Sequence, residues 1–181
     1  MGSTRQPVRG ALFQPPGLSG FTLVELMVTI AVLAVLLGIA VPMFTDSTLG
    51  GRLRTQANDL AAAALLARSE AIKRNQAVTF CASSDGATCT GTWASGWIVR
   101  TAGGEVLQAH GAAPSGFLIN SSVTSLVFQP SGVGVTPAPD PDEPTFVVCR
   151  ATPSVGSQER VVDISTTGRA SVSKTATGSC S

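Results

Sequence analysis

Gly17-Leu18-Ser19-Gly20-Phe21-Thr22-Leu23-Val24-Glu25-Leu26-Met27-Val28-Thr29 is the stretch on which the reading of this chain turns. A short leader carrying Arg5 and Arg9 ends at Gly20, and an aromatic residue, Phe21, follows at once. The run from Phe21 to Val41 is apolar in character and holds a single charged side chain, Glu25. Its length suffices for roughly 30 Å of helix, enough to cross a bilayer. An acid inside such a segment is costly, so it needs a function and a partner. A conventional signal peptide cut after Gly38-Ile39-Ala40 and an ordinary transmembrane anchor are the rival readings. Neither explains Glu25, and the first does not explain why the apolar run starts so abruptly.

The segment resembles a type IV prepilin leader. That resemblance implies that a prepilin peptidase cuts between Gly20 and Phe21 and methylates the new amine of Phe21. It implies a leader over 1–20, an N-terminal helix over 21–76 with 21–41 in the membrane, and a periplasmic β-domain over 77–181. The expected location is the inner membrane, single-pass, with assembly into a pilus or pseudopilus. Charge adds little to the orientation, because Arg5 and Arg9 precede the segment while Arg52 and Arg54 follow it. After cleavage, Phe21 offers an α-amine that is charged at neutral pH. Within one helix the amine and Glu25 pair badly. In a staggered bundle the amine of one subunit meets the carboxylate of its neighbour, which makes Glu25 an assembly residue and other pilins or pseudopilins its partners. The competing reading is a Glu25 that is simply hydrated near the interface.

Pro42 follows the apolar run and is expected to kink or loosen the helix. Gly50-Gly51 is a second weak point. Helical patterning then resumes, with Leu49, Leu53, Ala57, Leu60, Ala64, Ala67 and Ala71 at spacings of three and four. The small residues from Ala61 to Ala64 allow a close approach to a sheet, and the helix should end near Asn75. Beyond it, short β-type runs are expected at Val78–Ser83, Gly96–Arg100, Glu105–Gln108, Phe117–Ile119, Leu126–Gln129, Thr145–Arg150, Val161–Ser165 and Ala170–Ser173. Gly103-Gly104 reads as a hairpin turn. Pro137 to Pro144 reads as an exposed acidic loop.

The four cysteines, Cys81, Cys89, Cys149 and Cys180, all follow the apolar segment. An even count in an exported domain suggests two disulfides, of which three connectivities exist. Cys81–Cys89, closing a short polar loop, and Cys149–Cys180, tying down the C-terminus, are favoured. A metal site is the weaker alternative, since no CxxC spacing occurs and His110 is the one histidine. No metal or cofactor is expected.

The stretch Arg52–Ser83, the Gly96-Trp97-Ile98-Val99 strand, the Phe128-Gln129-Pro130-Ser131-Gly132 turn and Val161-Val162-Asp163-Ile164-Ser165 together resemble the GspH/FimT group of minor pilins and pseudopilins. The implied fold is α+β: a long N-terminal helix packed on a β-domain of two antiparallel sheets. The implied function is a structural subunit of a type II secretion pseudopilus or a type IV pilus.

Catalysis has little to stand on. His110 is isolated and reads as a surface residue, and no serine has a base nearby in sequence. Trp97 reads as core, and Trp93 is open between core and exposed stacking group. The competing function is DNA capture for uptake. Some relatives that bind DNA carry a C-terminal Gly-Arg-x-Arg motif, matched here by Gly168-Arg169-Ala170-Ser171 with the second arginine replaced. Arg169, Lys174 and Arg160 are the candidate DNA contacts. So few cations make few phosphate contacts. Removing residues 1–20 leaves 10 basic and 11 acidic side chains, a formal net charge of −1. DNA is therefore not the favoured partner.

Overall fold

The computed structural model describes residues 20–135, 144–150 and 159–175. The chain divides into two compact units, Met1–Pro42 and Met43–Ser181. One helix, α1 (Leu23–Arg74), contributes residues to both. Helix continues through Pro42 and Gly50-Gly51, because proline removes one intrahelical hydrogen bond and glycine lowers propensity without ending a long helix. The true end is a built stop. Asn75 turns into the left-handed region at φ 51°. Its N–H donates to Ile72 O at 3.3 Å, and that of Gln76 to Ala71 O at 3.2 Å. This pair of bonds is a Schellman closure, which satisfies carbonyls the helix would otherwise leave open.

Nine strands follow among the described residues: β1 (Val78–Ala82), β2 (Trp97–Thr101), β3 (Val106–His110), β4 (Phe117–Ser121), β5 (Ser125–Phe128), β6 (Gly134–Val135), β7 (Thr145–Arg150), β8 (Glu159–Ile164) and β9 (Ala170–Thr175). All eight runs expected from sequence are strands, with bounds moved by at most two residues. The additions are β6, too short to show a period, and a 3₁₀ turn at Trp93–Ser95. One sheet has the order β3-β2-β1-β5-β6 and the other β4-β7-β8-β9, all pairs antiparallel. Gly103-Gly104 is indeed the β2–β3 turn, with Thr101 N–H donating to Glu105 O at 2.9 Å.

Period-two alternation sets the core. Val78, Phe80 and Ala82 lie opposite Thr101, Val99 and Trp97 on one side, and Val78 and Phe80 lie opposite Phe128 and Leu126 on the other. In the second sheet Ile119 faces Val148, and Phe146 faces Val162. Leu53, Ala57, Leu60, Ala64, Ala67 and Ala71 of α1 are all buried in the same cluster as both sheets. Alanine dominates this stripe, so the helix backbone can lie close to the strands.

Trp93 joins the two sheets. Its ring sits 4.8 Å from Phe80 of β1 and 4.8 Å, edge-on, from Phe146 of β7. Its Nε1–H donates to Val123 O at 2.6 Å, so the buried indole is satisfied. The tryptophan left open by sequence is thus a core residue. The helix end is also tied to the β2–β3 turn, since Arg74 contacts Glu70 at 2.7 Å and Glu105 at 2.8 Å.

Cys81 and Cys89 form a disulfide with Cα atoms 5.5 Å apart. The loop it closes is organised by Asp85, whose carboxylate accepts from Ser83 Oγ, Ala87 N and Thr88 N. The Thr88 hydroxyl, with these backbone donors, holds the Asp85 carboxyl well below the usual carboxylate range. Cys149 is disulfide-bonded as well. Its expected partner, Cys180, lies outside the described residues, as does most of the Pro137–Pro144 loop.

Candidate functional site

Three features outside the core carry chemistry, and the first is the N-terminal segment. Every residue from Gly20 to Val41 is exposed, and Leu23–Val41 is long and apolar enough to cross a membrane. Such a surface is not sustained in water, so it calls for lipid or for other apolar helices. The segment starts with a built cap. Thr22 Oγ1 accepts from the Glu25 N–H at 3.2 Å, and Thr22 O accepts from the Leu26 N–H at 3.1 Å. Glu25 is therefore the third residue of the helix, where a carboxylate also favours the positive end of the helix dipole. Thr22 was missed in the sequence reading, although Thr-x-x-Glu ahead of an apolar run is a helix-start signal.

The second feature is a basic groove. Arg54 and Asn58 of α1, Arg160 of β8, and Val172, Ser173 and Lys174 of β9 line an open cleft of about 280 Å³. Arg160 and Lys174 are directly opposite each other in the β8–β9 register. Of the three residues read as candidate DNA contacts, the structure thus joins two and adds Arg54. Arg169 is not part of the groove. It sits in the β8–β9 turn, five residues from Lys174, about 17 Å along an extended strand.

The turn that holds Arg169 has its own structural logic. Ser165 N–H donates to Arg169 O at 2.9 Å, and Arg169 N–H donates to Ser165 Oγ at 3.1 Å. Gly168 has φ +75° and lies against Gly132 O and the Arg68 side chain. Gly134 N–H donates to Thr166 O at 3.2 Å, joining β6 to this turn. The glycine of the Gly-Arg pair is thus explained by packing, and Arg169 beside it is exposed.

The third feature corrects the reading of His110 as a surface residue. It is half-buried at the end of β3, stacked on Trp97 with ring centroids 3.8 Å apart. Its Nε2 lies 3.5 Å from Asp59 Oδ2 on α1, and its Nδ1 lies 2.9 Å from Gly111 O. The contacts join an edge strand to the helix. No feature of the sequence near His110 pointed to Asp59, which is distant along the chain.

Comparison with known proteins agrees with this architecture. The family model described as type II transport protein GspH matches residues 56–168. The model described as the prokaryotic N-terminal methylation motif matches residues 19–41. Among solved structures, the type IV minor pilin FimU of Pseudomonas aeruginosa, strain PAO1, is similar at 26% identity and a TM-score of 0.57, covering 72% of this chain and 96% of that one. A second crystal form of FimU gives 27% identity and a TM-score of 0.54, covering 71% and 100%. The minor pseudopilin EpsH of Vibrio cholerae gives 13% identity and a TM-score of 0.47, covering 70% and 98%. No curated protein matches the sequence.

Proposed function

The chain belongs to the GspH family of type II transport proteins, and from that premise we propose how it enters a fibre as a minor pilin or pseudopilin. A prepilin peptidase removes residues 1–20 and methylates the amine of Phe21. The apolar helix stays in the inner membrane, and the domain from Met43 onward lies in the periplasm. On assembly into a pseudopilus or type IV pilus, the helix leaves lipid for a bundle of other subunits' helices. There the α-amine at Phe21 and the Glu25 carboxylate of adjacent subunits neutralise one another. The observation that carries this reading is the position of Glu25. It lies in the first turn of an exposed apolar helix, four residues from the cleavage point. A charge there is costly in lipid and useful only where a cation meets it.

Two results test the proposal. Peptide mass spectrometry of the native membrane fraction should find a mature N-terminus at Phe21 carrying one methyl group. A start near Val41, or an intact leader with peptidase present, would sink the prepilin reading. Glu25→Ala should insert normally, because removing an acid from an apolar segment favours insertion. Assembly should lose a charge-assisted contact worth about 1.5–3 kcal/mol. Membrane fractionation with subunit cross-linking separates the two effects. Wild-type cross-linking in the variant would mean that Glu25 is merely hydrated.

A further inference from the structure

The basic groove combines two properties that call for the same kind of partner. The first is a cluster of like charge with no carboxylate partner among the described residues. Arg160 and Lys174 are directly opposed across β8 and β9, and like charges so placed repel. Arg54 adds a third cation from α1. Among the described residues no carboxylate pairs with any of the three; the one polar contact of Arg160 is Nη1–H donating to Glu159 O at 2.9 Å. The second property is an open strand. Among the described residues β9 is the edge of its sheet, and Ser171, Val172, Ser173 and Lys174 are all exposed. Val172 and Lys174 point to the same side of the sheet as Arg160 and the buried Val162, opposite Val172. The core-facing side of this sheet therefore opens at β9, under the Arg54 turn of α1.

We propose that this groove takes an extended acidic segment of a neighbouring subunit, added as a further strand on β9 with alternate carboxylates on Arg54, Arg160 and Lys174. Main-chain pairing at the open edge supplies affinity, and side chains at every second position supply selection. Lysine on an edge strand normally deters pairing. Here it also admits a strand of opposite charge. A nucleic acid fits less well. It would use the three cations but not the open backbone edge.

The proposal rests on the chain being a fibre subunit, but its test does not depend on assembly. The full chain in detergent micelles is titrated with a fluorescent peptide of alternating threonine and glutamate at physiological salt. Binding should weaken about tenfold or more when glutamine replaces glutamate in the peptide. It should weaken similarly with Arg160→Gln and Lys174→Gln together, and be unchanged by Arg169→Gln. An acidic peptide N-methylated on every backbone nitrogen keeps its charge and has no N–H to pair along either edge, so it should lose binding to the unaltered protein. Undetectable binding of the acidic peptide overturns the proposal. So does full binding by the N-methylated peptide, or stronger binding of duplex DNA that competes with the peptide.

Discussion

Trp93→Ala should lower the unfolding free energy by about 3–5 kcal/mol, the range for deleting a large buried aromatic side chain. The reason lies in what Trp93 touches. It contacts Phe80 in one sheet and Phe146 in the other, so its loss opens a cavity where the two sheets meet. It also strips Val123 O of its indole donor. Trp93→Phe keeps an aromatic ring but loses that donor, and should cost about 1–3 kcal/mol. Unfolding of the full chain in detergent, followed by the fluorescence of the remaining Trp97, reads both values. A loss below about 1 kcal/mol for Trp93→Ala would show that the sheets hold together without this contact.

Gly168→Ala should cost about 2–4 kcal/mol, a large penalty for adding one methyl group. A Cβ there would sit 2.6 Å from Gly132 O and 2.9 Å from Arg68 Cδ. The first neighbour is backbone and cannot rotate away. The φ of +75° adds strain for any residue with a Cβ. Gly103→Ala is the control, because a Cβ there meets only Thr101 Oγ1 at an ordinary 3.7 Å. It should change stability little. Equal melting temperatures for the two variants would mean that the β5–β6 and β8–β9 turns separate at no cost. Gly168 would then be free for a role other than packing.

Several features of this chain are written locally. The apolar span with its single acid is a matter of composition and order. The stripe from Leu53 to Ala71 repeats at helical spacing because one face of α1 is buried, and burial selects the residues. The strands alternate for the same reason at a period of two. The Cys81–Cys89 loop announces itself through the turn signal Ser83-Ser84-Asp85-Gly86, since Asp85 bonds the backbone just after it. Each of these signals arises from neighbours along the chain, so sequence suffices to find it.

Tertiary structure alone decided the rest. The β1–β5 pairing sets Phe80 beside Leu126. Trp93 reaches Phe146, and His110 reaches Asp59. The same is true of the basic groove. Arg169 and Lys174 are close in sequence and stand at opposite ends of β9, whereas Arg54 and Lys174 are far apart in sequence and line one cleft. A strand carries its residues away from one another at about 3.3 Å each, while sheet pairing and helix packing bring distant segments together. Spacing along the chain therefore records what a segment buries. Which charges meet at a surface is fixed only when the segments pack.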